Sequence, residues 1–123
     1  MGEKIACNEY LKKGYRLIKH NYRYKMLGEI DLIFVYETEI GDKFIVFSEV
    51  KCRKTNSLVT PAEAVNITKQ QKIIKTAQCF LLENQLYNNY YIRFDVAEVY
   101  YSKNKFKVNI IENAFSWLAT KDR

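Results

Sequence analysis

The fold is decided by two segments of the chain, Gly28-Glu29-Ile30-Asp31-Leu32-Ile33-Phe34-Val35-Tyr36 and Lys43-Phe44-Ile45-Val46-Phe47-Ser48-Glu49-Val50-Lys51-Cys52-Arg53. Both segments have the length of a strand and are rich in β-branched and aromatic residues. A polar segment that contains one glycine, residues 37–42, lies between them. This pattern predicts a β-hairpin with two antiparallel arms.

The turn of this hairpin predicts its register. A three-residue loop over residues 39–41 would place Gly41 at the left-handed position that such loops require. Thr38 would then face Asp42. The partners of all other residues in the hairpin follow by counting outward from this pair.

Four charged residues come together in this register. Asp31 should lie opposite Glu49. Glu29 should lie opposite Lys51, and period-two alternation puts all four side chains on one face. Two carboxylates directly across a strand pair repel, and on a buried sheet they are costly unless a positive charge lies between them. A divalent metal ion is a natural candidate for that charge.

A simpler interpretation of the same residues is a surface ion pair. Glu-x-Lys is common on strands, and most instances form a weak pair on a solvated face. Two continuous apolar runs, residues 32–36 and 44–47, indicate instead that both faces of the hairpin are covered. Charged residues at the end of covered strands favour a functional site.

The composition indicates one basic domain. With 123 residues, 48% of them hydrophobic, the chain suffices for one domain with a core and is too short for two. Lys and Arg number 20 against 14 Asp and Glu. This balance favours a polyanionic partner, with nucleic acid the leading candidate.

Other classes of protein are disfavoured by the same composition. The three scattered cysteines and the single histidine do not match a zinc finger or a disulfide framework. No apolar run approaches the roughly 20 residues that a membrane span needs. We therefore expect a soluble, cytoplasmic protein that does not bind a membrane.

Hydrophobic periodicity predicts the remaining elements. In chain order the predicted elements are a helix over residues 3–13, a strand over 15–20, the hairpin over 28–53, a helix over 68–84, a second hairpin over 90–111 and a short helix over 115–119. Thr60 and Thr68 have the context of helix N-caps, and Gly14 that of a helix stop. This order predicts an α/β fold with a mixed central sheet flanked by helices.

Basic residues interleaved with aromatic residues occur in the segment 16–25, and further lysines recur every three residues along the predicted long helix. Phosphate contacts and stacking on unpaired bases would use this pattern, but an ordinary solvated surface has it as well. The candidates for contact with DNA are Arg16, Arg23, Lys25, Arg53, Lys69 and Lys72.

The two hairpin motifs also carry a resemblance. Residues 28–33 followed by residues 47–53 resemble the signature of the YraN-like family of small bacterial endonuclease-like proteins. That family belongs to the PD-(D/E)xK nuclease superfamily and is similar to archaeal Holliday junction resolvases. The resemblance spans nearly the whole chain and implies a restriction-endonuclease-like fold with metal-dependent DNA endonuclease activity, with branched and flapped DNA among the candidate substrates.

The resemblance implies a role for each site residue. Asp31, Glu49 and the carbonyl group of Val50 would bind Mg²⁺ or Mn²⁺, which prefer oxygen ligands. Lys51 would position or activate the attacking water. Glu3 matches a metal-binding glutamate in the first helix of related resolvases, although an acidic residue at a helix N-terminus is equally well explained by the helix dipole.

Two further acidic residues need separate treatment. Asp95 lies in an Arg-Phe-Asp-Val segment that resembles the same family, and we expect it to support the site without binding metal. Glu29, if it faces Lys51, would form an ion pair that occupies the lysine.

Two functions remain open at this stage. The first is a metal-dependent DNA endonuclease. The second is a non-catalytic module that keeps the nuclease fold and binds nucleic acid or a protein partner. Symmetric cutting of a DNA junction would need a homodimer, which the sequence itself does not indicate.

Overall fold

A five-stranded sheet with one long helix on each face forms the protein. The computed structural model describes residues 1–54 and 65–116. Its elements are α1 (Gly2–Lys12), β1 (Arg16–Tyr24), β2 (Gly28–Glu37), β3 (Lys43–Lys54), α2 (Ile67–Glu83), a 3₁₀ turn (Gln85–Tyr87), β4 (Tyr91–Ser102) and β5 (Lys105–Phe115). This arrangement confirms the predicted α/β, restriction-endonuclease-like fold class.

The strands lie in the order of the sequence, from β1 at one edge to β5 at the other. β3 and β4 are parallel, and the other neighbouring strands are antiparallel. A parallel pair needs a long crossover connection, and α2 lies within it. In the part of the chain that the structure describes, no helix is long and apolar enough to cross a membrane.

The register predicted for the β2–β3 hairpin is confirmed. Leu32 pairs with Ser48 at one end of the ladder, and Glu37 pairs with Lys43 at the other. In the turn the N–H of Thr38 donates to the carbonyl oxygen of Asp42 at 2.8 Å. Gly41 has φ +91°, the left-handed value that the loop requires.

Side-chain alternation along the hairpin divides the core into two parts. Phe34 and Val46 pack under α1 against Tyr10. Phe47 points to the other face, where it packs with Phe80 of α2. Because both faces of the central strands are covered, the apolar runs in β2 and β3 are continuous, as the sequence indicated.

The structure corrects the start of α2. The helix begins after Asn66, whose side chain accepts a hydrogen bond from the N–H of Lys69 at 2.9 Å. Thr68 was the predicted cap and instead lies inside the first turn. Asn at this position is among the most stabilising N-caps. The other predicted cap, Thr60, lies outside the described residues.

Two strands extend beyond their predicted ends. β1 continues to Tyr24, because Tyr22 is buried against Phe80 of α2. β5 continues to Phe115, whose ring stacks on Phe94 with centroids 5.2 Å apart. The predicted helix over residues 115–119 is therefore wrong at its first residue, and residues 117–119 lie outside the described part of the chain.

Gly28 allows α2 to approach β2 closely. A Cβ atom at this position would lie 2.9 Å from Oγ1 of Thr76 and 3.5 Å from the carbonyl oxygen of Lys72. Thr76 is fully buried, and its hydroxyl donates to that same carbonyl oxygen at 2.7 Å. The threonine therefore has little freedom to move away from an added methyl group.

We expect Gly28→Ala to lower the free energy of unfolding by about 1–3 kcal/mol, the usual cost of overpacking. Adding Thr76→Ala should recover part of this loss, because removal of the hydroxyl opens space for the new methyl group. Chemical denaturation of the wild type, both single variants and the double variant measures this coupling. Strictly additive losses would show that the close contact is not the cause.

Candidate active site at the end of the β2–β3 ladder

Asp31 lies where the ladder between β2 and β3 ends. The last paired residues are Leu32 and Ser48. One residue further, Oδ2 of Asp31 accepts a hydrogen bond from the N–H of Val50 at 2.8 Å. A side-chain carboxylate thus takes the place that a backbone carbonyl would have in a continued ladder.

Side-chain alternation along β2 also breaks at Asp31. Ile33 and Ile30 both pack in the core under α2, whereas Leu32 packs under α1. On the neighbouring strand β1, Asn21 has φ +50° and lies between residues paired with Leu32 and Ile30. The period-two rule that placed four charges on one face therefore fails beyond Asp31.

The predicted pairing of Glu29 with Lys51 is wrong for this reason. Glu29 pairs across to β1, where its Oε2 lies 2.6 Å from Nε of Arg23. Arg23, a predicted DNA contact, thus forms an exposed ion pair with Glu29. Lys51 is left to interact with other groups.

Glu49 lies at the centre of the candidate site. Its side chain is only 7% exposed, and its Oε2 lies 3.4 Å from Nζ of Lys51 and 3.4 Å from Nζ of Lys69. Lys51 follows two residues later on the same strand, and Lys69 belongs to the first turn of α2. The side chains of Lys51 and Lys69 are 28% and 45% exposed, so the site opens to solvent on their side.

The pKa of Asp31 reports how these groups interact. Burial is the main cause that raises it to about 7, and the hydrogen bond from Val50 acts in the opposite direction. The negative charges of Glu49 and Glu3 raise it further, as does a side-chain hydrogen bond with Glu49. Asp31 and Glu49 therefore interact directly, and Glu3 of α1 is close enough to contribute.

The donor atoms at this site fit Mg²⁺ or Mn²⁺. The N–H of Val50 points towards Asp31, and the carbonyl group of one strand residue points to the same side as its N–H. Within residues 1–54 and 65–116, no three His, Cys, Asp or Glu side chains cluster as a complete metal site. Mg²⁺ commonly uses one or two carboxylates and completes its shell with water and phosphate oxygens, so Asp31 and Glu49 suffice.

The other predicted DNA contacts lie at different distances from this centre. Arg16 pairs with Val35 and so lies far along β2 from Asp31, which means that the fold does not bring it to the site. Lys25 follows the end of β1 near the site and is exposed, as is Lys72 on α2. Arg53 lies further along β3, and its buried Nε has no hydrogen-bond partner among the described residues.

Sequence analysis missed Glu98. The parallel register of β3 and β4 places it beside Lys51, and its side chain is fully buried. Its Oε1 accepts hydrogen bonds from Tyr100 at 3.0 Å and Asn109 at 3.4 Å. Its Oε2 has no partner in the described part of the chain. A lone glutamate inside the apolar run of residues 94–99 was the signal that could have identified it.

Asp95 has the supporting position that the sequence indicated. It is fully buried and accepts two hydrogen bonds from Arg93, both at 2.9 Å, and one from the N–H of Asn113 at 3.0 Å. The hydroxyl of Tyr10 donates to Asp95 at 2.9 Å and lies 2.9 Å from Oγ of Ser48. This network holds α1, which carries Glu3, against the strand that carries Glu49.

The raised pKa of Asp31 should make stability depend on pH. The folded protein holds this proton more tightly than the unfolded chain does, so the stabilisation is present below pH 3.8 and is lost as pH rises to about 7. The free energy of unfolding of the metal-free wild type should therefore fall more over this range than that of Asp31→Asn. The asparagine can still accept the hydrogen bond from Val50.

Denaturant titrations at several pH values measure this difference. Glu39→Gln, in the exposed hairpin turn, is the matched control and should follow the wild type. Identical pH profiles for the wild type and Asp31→Asn would contradict the assignment of this titration to Asp31.

Comparison with solved structures finds a limited similarity. The chain of Pyrococcus furiosus SfsA in complex with Ca²⁺ matches 89% of this chain over 58% of its own length. The TM-score is 0.31 and the sequence identity is 16%.

Comparison with sequences finds much closer relatives. The model of the uncharacterised protein family UPF0102 matches residues 2–99. A UPF0102 protein of Alkaliphilus metalliredigens is 48% identical over 115 residues, covering 94% of both chains. A UPF0102 protein of Caldanaerobacter subterraneus subsp. tengcongensis is 44% identical over 118 residues, covering 94% of this chain and 91% of its own. The chain therefore belongs to the UPF0102 family, the YraN-like family that its hairpin motifs resemble.

Proposed function

We propose that the protein is a DNA endonuclease that hydrolyses phosphodiester bonds with the help of Mg²⁺ or Mn²⁺. The observation that carries this proposal is the direct interaction of Asp31 with Glu49, with two lysines at the inner oxygen of Glu49. Two neighbouring carboxylates in a largely buried position are costly in a protein that only needs to be stable. A divalent cation would offset that cost and use it for catalysis.

Each group has a chemical role in this proposal. A divalent metal held by Asp31, Glu49 and the carbonyl group of Val50 supplies a bound water of lowered pKa and polarises a phosphoryl oxygen. The hydrogen bond from Val50 fixes the orientation of the Asp31 carboxylate. Because the metal would provide the activated water, the site needs no histidine as a general base.

The two lysines contribute positive charge from different elements. The ammonium group of Lys51 would leave Glu49 when the carboxylate binds metal, and would then hold the attacking water or stabilise the charge that develops on the phosphate. Lys69 projects from the start of α2 and is better exposed. It is suited to a neighbouring phosphate of the same strand, where it positions the substrate without reading its sequence.

One observation favours the second candidate, a non-catalytic nucleic-acid-binding module. Both lysines already lie 3.4 Å from the same oxygen of Glu49, so an ion-pair network satisfies that carboxylate without metal. In such a module Asp31 would be held neutral at pH values below its raised pKa. The response of the folded protein to metal distinguishes the two candidates.

Metal binding should stabilise the folded wild type. Mn²⁺ at millimolar concentration should raise its melting temperature, because an ion that binds only the folded state adds to the free energy of unfolding. Asp31→Asn should remove this response while stabilising the metal-free protein at pH 8 by about 1 kcal/mol. If Asp31→Asn destabilises the metal-free protein and Mn²⁺ leaves the wild type unchanged, the ion-pair network is the better description.

Lys51→Ala should separate metal binding from catalysis. We expect this variant to keep the Mn²⁺-induced rise in melting temperature and to lose cleavage of labelled linear, flapped and four-way DNA. Lys75→Ala, an exposed lysine further along α2, is the matched control and should retain both properties. Cleavage by Lys51→Ala at the wild-type rate would exclude the proposed role of this lysine.

A further inference from the structure

An open groove of about 670 Å³ crosses the β4–β5 hairpin at the edge of the sheet. The lining residues are polar, basic or aromatic, and they are Tyr100, Ser102, Lys105, Phe106, Lys107 and Asn109. None of them belongs to the candidate active site described above. We call this feature the β4–β5 groove.

The β4–β5 groove is continuous with the active site through Glu98. In the register of the sheet, Glu98 lies between Lys51 of β3 and Asn109 of β5. Val96 packs under α2 and Ala97 under α1, so Glu98 points to the α2 face, which also carries Glu49. The hydroxyl of Tyr100 and the amide of Asn109 both donate to Oε1 of Glu98. Two lining residues of the groove thus contact the side chain beside Lys51.

The charge of the groove is positive and available to a ligand. Lys105 and Lys107 pair with Ser102 and Tyr100 in the ladder, so both lysines lie on the same face of β5. Both are exposed, and neither lies within salt-bridge distance of an acidic group among the described residues. Their positions are about 6.8 Å apart along the strand, which suits contacts to successive phosphates of an extended chain.

An aromatic ring accompanies these lysines. Phe106 is 47% exposed although it is a large apolar residue. A ring that is left in solvent between two lysines matches the platforms on which unpaired bases stack while lysines contact the backbone. A duplex hides its base faces, so this combination favours a single strand over a duplex.

We propose that the β4–β5 groove binds an unpaired strand of nucleic acid next to the active site. The placement of that strand relative to the scissile bond rests on the proposed endonuclease function. Binding in the groove does not require metal or cleavage. It can therefore be measured in the presence of EDTA, independently of the reaction.

The test measures binding of a fluorescent oligothymidylate and of a duplex of the same length to the full chain in EDTA. For Lys105→Gln/Lys107→Gln, the slope of log affinity against log salt for the single strand should become shallower by about 1.4, since each phosphate contact to a single strand contributes about 0.7. Phe106→Ala should weaken single-strand binding about five-fold or more, in line with loss of one stacked base, and leave duplex binding unchanged.

The matched control is Lys12→Gln/Lys13→Gln, which removes two exposed lysines at the end of α1. It should bind both oligonucleotides with the wild-type salt slope. Equal single-strand binding by the groove pair and the control pair overturns the proposal, as does an equal loss of single-strand and duplex binding. A wild type that does not bind the oligothymidylate overturns it as well.

Failure of the endonuclease proposal has a different signature. In that case the wild type would cut no DNA with either metal, while Lys105→Gln/Lys107→Gln and Phe106→Ala would still lose single-strand binding selectively. Conversely, cleavage that depends on Asp31 together with unchanged binding by the groove variants would retain the nuclease and exclude the groove.

Discussion

The hydrogen bond from the backbone N–H of Val50 to the carboxylate of Asp31 is the interaction on which the site depends. It ends the ladder between β2 and β3 and brings Asp31 beside Glu49. It also leaves the carbonyl group of Val50 pointing into the opening between the strands. A fully paired hairpin would have used these backbone groups for its own hydrogen bonds and would have offered no donor set for a cation.

The protein treats its buried carboxylates in two different ways. Asp95 receives hydrogen bonds from Arg93, Tyr10 and Asn113, so its charge is compensated and it stabilises the contact between α1 and the sheet. Asp31 receives one N–H and faces the charges of Glu49 and Glu3, so its pKa is raised. The contrast indicates that the cost of the second arrangement is retained for binding and is not needed for folding.

Three structural units bring charge to one end of the sheet. α1 carries Glu3, the first turn of α2 carries Lys69, and the central strands carry Glu49 and Lys51. Glu98 extends the same face to β4, and the β4–β5 groove continues it to the edge of the sheet. The basic and aromatic character of that edge agrees with the net charge of +6. A nucleic-acid strand is the ligand that would use both the acidic centre and its basic surroundings.

The sequence by itself determined the β2–β3 hairpin, its register, the order of the elements and the pairing of Asp31 with Glu49. These features follow from local rules, because a turn glycine and period-two alternation act over a few residues. The sequence could not predict where alternation fails, since the break at Asp31 arises from a side chain that bonds to the backbone of another strand. That break moved Glu29 to Arg23 and freed Lys51.

Only the tertiary structure placed Lys69 and Glu98 at the site. Lys69 depends on where α2 begins, which Asn66 decides, and on how α2 packs against Gly28. Glu98 depends on the parallel register of β3 and β4, whose connection passes through α2. No local pattern specifies the register of strands joined by a long crossover, because it is determined by packing of the whole helix on the sheet.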